Sequence, residues 1–370
     1  MPLDLKERDR RFKLIRERMA AEKLDALIVI SNAQYEQKGF ARYLTNYNNP
    51  IYGVLVIFPR EGKPKLLAPS PLQEYWTKRL AWIEDIQLSR AFGQDLVANL
   101  RALDLSRGRL GLINSKIMPA DVYVALTVGC PEAEIVDATP LLEAARAVKS
   151  DAELELVRIS ARLAELSFET VAKTFYKGIT EQALIAEVDR ALIANGAENI
   201  FHLFSSDPTS IYPYLPSNRR IEEKDIILMN TELSGPDGYW VQMVRTYFIG
   251  KPEEKVKRMY DTLLKIRTQS LKELQPNRKA SEIAGVLRQI ILDAGYHFGV
   301  HFGHALGLDV VERPLVSLQD DMVLAPGMVI TVHPHLVSSA DRVGVWLGDT
   351  YLITSQGAEL LTPHWLDLAE

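Results

Sequence analysis

Four of the chain's seven histidines fall in two short stretches. His301 and His304 stand in "HFGHALGLD", and His333 and His335 flank Pro334 in "GMVITVHPHLV". An imidazole changes charge near neutral pH, so a cluster of them suits proton transfer. Glycines around His304 let a backbone pass close to a ligand. Alternation along a regular strand puts His333 and His335 on one face, although Pro334 invites a bulge. Three uses stay open. The imidazoles form a general acid/base set with shifted pKa values, they hold a single metal ion, since three suffice for zinc, or they border a solvated cleft.

A second group lies in "MNTELSGPDGYWVQMVRTYFIG", residues 229–250. Asn230 and Glu232 share one face of the first strand of a hairpin, and Gln242 and Arg245 lie on the second. Arg245 suits two-pronged binding of a substrate carboxylate, or equally a structural pairing with an acid. Asp237 and Tyr239 read as a turn aspartate and a packed aromatic. Glu312 and Asp349 stand beside these motifs, where a lone acid is more often solvated or ion-paired than catalytic. Tyr212, Tyr214, Trp240 and Phe302 form either plain core or an aromatic lining that suits a ring or a cationic nitrogen.

Two kinds of scaffold must position these residues. The first part of the chain alternates helical and strand patterns, with buried strands expected at 26–30, 52–59, 65–70 and 109–113 and helices at 71–82, 91–103 and 119–128. This is an α/β domain with a largely buried sheet, assigned to 1–148. The second part, 149–370, opens with a capping box, Ser150 followed by Glu153. A helix from Thr180 stops at Gly196. Strands follow at 225–233 and 239–249. Helices at 253–275 and 280–295, the latter capped by Ser281, then lead to strands at 327–337 and 343–354. The order helix, helix, strand, strand thus occurs twice, which predicts a pseudo-repeat closing a curved sheet around a cleft.

Composition narrows the partners. Of 370 residues, 25% are charged and 47% hydrophobic, as in a soluble globular protein. A net charge of −5 without a basic run gives no reason to expect nucleic acid or an anionic membrane. The N-terminal stretch lacks the apolar centre of a signal peptide, and no apolar run approaches the ~20 residues needed to span a bilayer. Cys130 is the only cysteine, so no intrachain disulfide forms. A cytoplasmic protein is expected.

The phrases "DIILMN", "DGYWVQMVRTYFIGKP", "GHALGLDVVERP" with "PGMVITVHP", and "GDTYLITSQGAELLT" together resemble the pita-bread family of prolidase, aminopeptidase P, methionine aminopeptidase and creatinase. "AAEKLDALIVIS" and "ARYLTNY" are similar to the small N-terminal domain of creatinase and prolidase. The resemblance implies a creatinase-like α/β N-terminal domain and an α+β pita-bread C-terminal domain. It also implies a homodimer acting on a small-molecule substrate. The peptidases of this family bind two metal ions through two Asp, one His and two Glu. Their positions fall on Asn230, Gln242, His304, His333 and Gly348, so one ligand of five is kept. Two close divalent cations need bridging carboxylates, and the resemblance therefore implies no metal and no other cofactor. Creatinase, which works without metal, is the nearer comparison and also has Asn at the position of Asn230. Its catalytic His falls at or near Pro213, and the acid beside its Arg falls on Val244.

The expectation is a metal-independent, creatinase-like hydrolase or lyase cleaving a C–N bond. Its catalytic set is His304, His333, His335 and Glu232, and its substrate-binding set is Arg245, Asn230, Gln242, His301 and Tyr212. The alternatives are an inactive pseudo-peptidase that binds a ligand and a metallohydrolase with a relocated histidine site.

Overall fold

The computed structural model describes residues 3–34, 37–209, 211–296 and 301–363. The chain divides into two compact units, 1–146 and 147–370.

The first unit carries α1 (Leu5–Ala21), β1 (Ala26–Ile30), α2 (Gly39–Thr45), β2 (Leu55–Pro59), β3 (Lys65–Ala68), α3 (Pro71–Leu80), β4 (Asp85–Leu88), α4 (Phe92–Ala102), β5 (Arg109–Ile113), α5 (Ala120–Gly129), β6 (Glu134–Asp137) and α6 (Thr139–Ala147). Its six strands form one sheet in the order β4-β3-β2-β1-β5-β6. The pairs β1–β2 and β2–β3 are antiparallel and the others parallel. Every residue of β1 and β2 is buried, so both read as unbroken apolar runs rather than alternating ones. The edge strands β4 and β6 escape sequence reading because they are short, mixed in composition and only partly buried.

The second unit begins with α7 (Asp151–Thr174) and α8 (Glu181–Ala194). Both bonds of the capping box at α7 form. Glu153 accepts from the Ser150 backbone at 2.7 Å, and its other oxygen accepts from the Tyr239 hydroxyl at 2.7 Å. Ser160, one face further along α7, donates to the Tyr239 carbonyl and accepts from the Gly235 amide. The helix thus fixes the hairpin turn as well as its own start. β7 (Asn199–Ser205), β8 (Ile226–Ser234) and β9 (Trp240–Phe248) form an antiparallel sheet.

After α9 (Glu254–Glu273) and α10 (Ala280–Asp293) come β10 (Gly303–Ala305), β11 (Glu312–Leu315), β12 (Val329–Val332), β13 (His335–Ser338), β14 (Val343–Trp346), β15 (Asp349–Thr354) and β16 (Gly357–Leu360). They form a sheet β11-β10-β12-β15-β16 and a separate β13-β14 ladder. Two long strands of the sequence reading are therefore each divided. The 327–337 run breaks at Pro334, which has no N–H for a ladder. The 343–354 run breaks at Leu347–Gly348, where Gly348 instead pairs in both directions with Val244 of β9, at 2.9 and 3.1 Å. The expected Ser281 cap is also corrected. Lys279 occupies the N-cap of α10 without a side-chain bond, and the Ser281 hydroxyl donates to Asp321.

Behind this junction lies a core that includes Leu263, Ile266, Leu287, Ile291, Val332 and Val345. Each such side chain contributes about 1.5–3 kcal/mol by burial. Within it Arg245 and Asp349, 2% and 1% exposed, pair at 2.8 Å, while Arg267 holds the other carboxylate oxygen at 2.6 Å. Arg245 also donates to the carbonyls of Val244, Gly348 and Thr362. Among the described residues no helix is long and apolar enough to cross a membrane.

Removing one partner of a buried pair leaves an uncompensated charge. Asp349→Asn is expected to lower the unfolding free energy of the second unit by about 3–5 kcal/mol, read as a shifted urea midpoint.

Candidate functional site

Ladder register explains how the amide group assembles. Glu232 of β8 sits opposite Gln242 of β9, and Asn230 opposite Val244. Alternation then turns Asn230, Glu232 and Gln242 to one face. The Asn230 amide donates to Glu232 Oε1 at 2.8 Å, and the Gln242 amide donates to Asn230 Oδ1 and Glu232 Oε1 at 3.0 Å each. Asn230 and Gln242 are buried. Gln242 Oε1 is also buried and has no hydrogen-bond partner among the described residues.

The imidazoles form the second group. Gly303 lets β10 pass against the Thr331 carbonyl of β12, where a Cβ would collide. That places His304 opposite Thr331, and the His333 amide donates to the Phe302 carbonyl at 2.8 Å. Ring centres are 5.1 Å apart for His304–His333, 5.7 Å for His301–His333 and 6.2 Å for His301–His304. His335 does not share a face with His333, because Pro334 divides the strand. It stacks on Trp346 at 5.3 Å, and the Tyr212 ring meets it edge-on at 5.2 Å.

Gly348 lets the chain pass close to His333. A Cβ at 348 would lie 2.5 Å from the His333 Cβ and 2.9 Å from its Cα, so a side chain there would push the two segments apart.

Burial governs the charge state. It pulls His304 and His335 from 6.5 to about 4, and His333 well below its ordinary value. Burial also lowers His301. All four imidazoles are uncharged at neutral pH. His304 Nδ1 lies 3.0 Å from the Ala305 carbonyl, which assigns the proton to Nδ1 and the lone pair to Nε2. His333 Nε2, His335 Nε2 and His301 Nδ1 are buried without hydrogen-bond partners among the described residues. Glu312, paired with Lys149 at 3.2 Å, opposes the fall at His304 only weakly.

The expected sets separate accordingly. His301, His304 and His333 come together, as do Asn230, Glu232 and Gln242. Arg245 is corrected from substrate anchor to structural cation, since both its terminal nitrogens are spent on Asp349 and on carbonyls. Tyr212 is 67% exposed beside His335, whereas Trp240 and Phe302 are wholly buried core. Sequence reading missed Trp346, whose indole donates to the His333 carbonyl at 2.7 Å. Its place two residues before Gly348 is the available signal.

These residues do not fit a carboxylate-bridged pair of metal ions. Amides stand at two ligand positions and engage one another, Gly348 has no side chain, and Asp349 is committed to two arginines. Among the described residues no group of three or more His, Cys, Asp or Glu is placed to hold a metal ion.

Because the folded imidazoles resist protonation, the unfolded chain binds more protons between about pH 6.5 and 4. Their contribution to stability is therefore intact above the ordinary histidine value and is lost as pH falls through that window. For His304 the full loss is roughly 3 kcal/mol. Urea unfolding from pH 7 to 4 should show it, and His304→Asn should flatten the dependence.

Residues 155–355 match metallopeptidase family M24, and residues 11–148 match the creatinase/prolidase N-terminal domain. An Xaa-Pro dipeptidase of Pyrococcus horikoshii is 31% identical over 222 residues, which span 59% of this chain and 63% of that protein. A probable dipeptidase, PepE, of Mycobacterium tuberculosis is 27% identical over 273 residues, covering 69% and 72% of the two chains. The crystal structure of the prolidase from P. horikoshii superposes with a TM-score of 0.85 at 25% identity, covering 97% of this chain and 100% of that one. These relatives overturn the expectation of a metal-independent, creatinase-like enzyme, because the similarity runs to dipeptidases of a metallopeptidase family. The creatinase-like α/β N-terminal domain and the pita-bread C-terminal domain stand, and the chain belongs to metallopeptidase family M24.

Proposed function

We propose that the protein is a hydrolase that cleaves the C–N bond of short peptides, with dipeptides as its substrate class. The observation that carries this is the likeness to a prolidase over nearly the whole of both chains. The chemistry of the site supports it. Its polar surface offers acceptors, namely Gln242 Oε1 and His333 Nε2, which have no hydrogen-bond partner among the described residues, and the Nε2 lone pair of His304. A dipeptide brings the complement, an ammonium group in every case and an amide N–H wherever the second residue is not proline. Uncharged imidazoles accept such donors without repelling them. Glu232 adds a carboxylate to the same wall as Gln242 and suits the ammonium end.

A cytoplasmic homodimer belongs to the same proposal. An exposed apolar stripe on α3, formed by Leu72, Trp76 and Leu80, supports a face for self-association.

The test is turnover of a panel of Xaa-Pro and other dipeptides, followed by chromatography of the released amino acids, with and without supplied divalent ions. At least one dipeptide is expected to be hydrolysed. His304→Ala should then lower kcat/KM by about tenfold, near the worth of one buried hydrogen bond. A panel that binds but is never cleaved under any of these conditions would remove the hydrolytic assignment.

A further inference from the structure

The first unit carries a cleft of its own, about 260 Å³ in volume, between α1, the β2–β3 turn and the connection from α3 to β4. Helical spacing supplies one wall. Arg8, Phe12 and Arg16 follow one another at intervals of four along α1, so they share a stripe beside the buried Glu7, Arg11 and Ile15. Asp4 fixes the start of that helix by accepting from the amides of Lys6 and Glu7. The other two segments add the apolar surfaces of Pro64, Trp82 and Ile83.

The charges that line the cleft are matched except one. Arg8 pairs with Asp9 at 2.7 Å and Lys63 with Glu84 at 2.9 Å, while Asp85 is held by Lys65 at 3.0 Å. Arg16 pairs with no acid among the described residues. One of its terminal nitrogens donates to the Gly62 carbonyl at 2.5 Å, and its Nε is buried without a hydrogen-bond partner. The guanidinium carbon lies 5.3 Å from the centre of the Phe58 ring and 5.9 Å from that of Phe12, and the two rings meet edge-to-face at 5.0 Å. These rings hold the cation at the cleft. A guanidinium has five N–H donors and stays charged, and here a single carbonyl is its hydrogen-bond partner.

The class of ligand follows from this balance. One unmatched cation suits one negative charge. A phosphate or a dicarboxylate would bring a second, which Asp9 and Glu84 in the lining would repel. The volume falls below the ~300–1,000 Å³ usual for drug-sized ligands, so the molecule is small. Phe12, Pro64 and Trp82 favour one with an apolar body.

We propose that this cleft is a binding site for a small monocarboxylate with an apolar or aromatic body. Arg16 holds the carboxylate, and Phe12 packs against the body. The site lies wholly within the first unit and is independent of the dipeptide assignment.

The experiment uses the full chain and titration calorimetry. Dissociation constants are measured for phenylacetate, for its neutral counterpart phenylacetamide and for acetate, which lacks the body. Phenylacetate is expected to bind at least about tenfold tighter than either, the worth of one charge-assisted hydrogen bond or one buried ring. Arg16→Gln should erase the preference for the acid over the amide and leave the affinity for the amide near wild type. Glu84→Gln, an exposed change that releases Lys63 in the same lining, should tighten phenylacetate by roughly twofold or more, as expected for one partly screened charge. Equal affinity of the wild type for acid and amide overturns the site, as does an acid preference that survives in Arg16→Gln. Absence of binding at about 20 mM phenylacetate, where even a millimolar site would be nearly full, overturns it too. If Arg16→Gln does not fold, the Glu84→Gln result decides alone: tighter binding of the acid upholds the site, and unchanged binding overturns it.

Discussion

The pair between Arg245 and Asp349 is the constraint on which the second unit is built. Taking both charges out of water is costly, and the pair is tolerable because both carboxylate oxygens and both terminal guanidinium nitrogens are hydrogen-bonded. Arg267 and the Thr362 hydroxyl complete the carboxylate, and three carbonyls complete the guanidinium. The pair ties β9 to β15 next to the Val244–Gly348 bridge and so sets where the two halves of the site meet. It also removes Asp349 from chemistry. The acid beside the vacant ligand position is already spent, so it does not stand in for the carboxylate that Gly348 lacks.

The rest of the site follows from that loss. Residue 348 has no side chain, a histidine stands at 333, and three imidazole rings lie within about 6 Å of one another. Such a group is stable only if it is uncharged, and burial keeps it so. At the two aspartate positions, Asn230 and Gln242 bond to each other and to Glu232 rather than to a cation. The family scaffold is retained while its ligand wall has become a surface of neutral acceptors with one carboxylate. That surface matches hydrogen-bond donors on an organic ligand better than it matches two bare divalent ions.

Much of this was legible locally. The capping box at Ser150 and Glu153, the β8–β9 hairpin and the alternation that unites Asn230 with Glu232 all follow from residue spacing. So does the gathering of His301, His304 and His333 in the two short phrases that hold them. The failures share one cause, which is that a partner far away in sequence decides the outcome. Arg245 reads equally as a substrate anchor or as a structural partner until Asp349, over a hundred positions on, is seen to claim it. Pro334 and Gly348 interrupt strands whose composition reads as continuous, because their neighbours belong to a different ladder. Glu181 reads as an ordinary first-turn acid, and only the fold brings Ser206 and Ser217 to it. Trp346 joins the site through its contacts with His333 and His335, which no local pattern announces.

This chain lacks the donors for a carboxylate-bridged pair of cations. The most direct measurement is elemental mass spectrometry of metal bound per chain, after dialysis against excess manganese, cobalt or zinc and removal of free ions. Well below two ions per chain is expected for each metal. Two ions per chain, released by a chelator and abolished by His304→Ala, would contradict it.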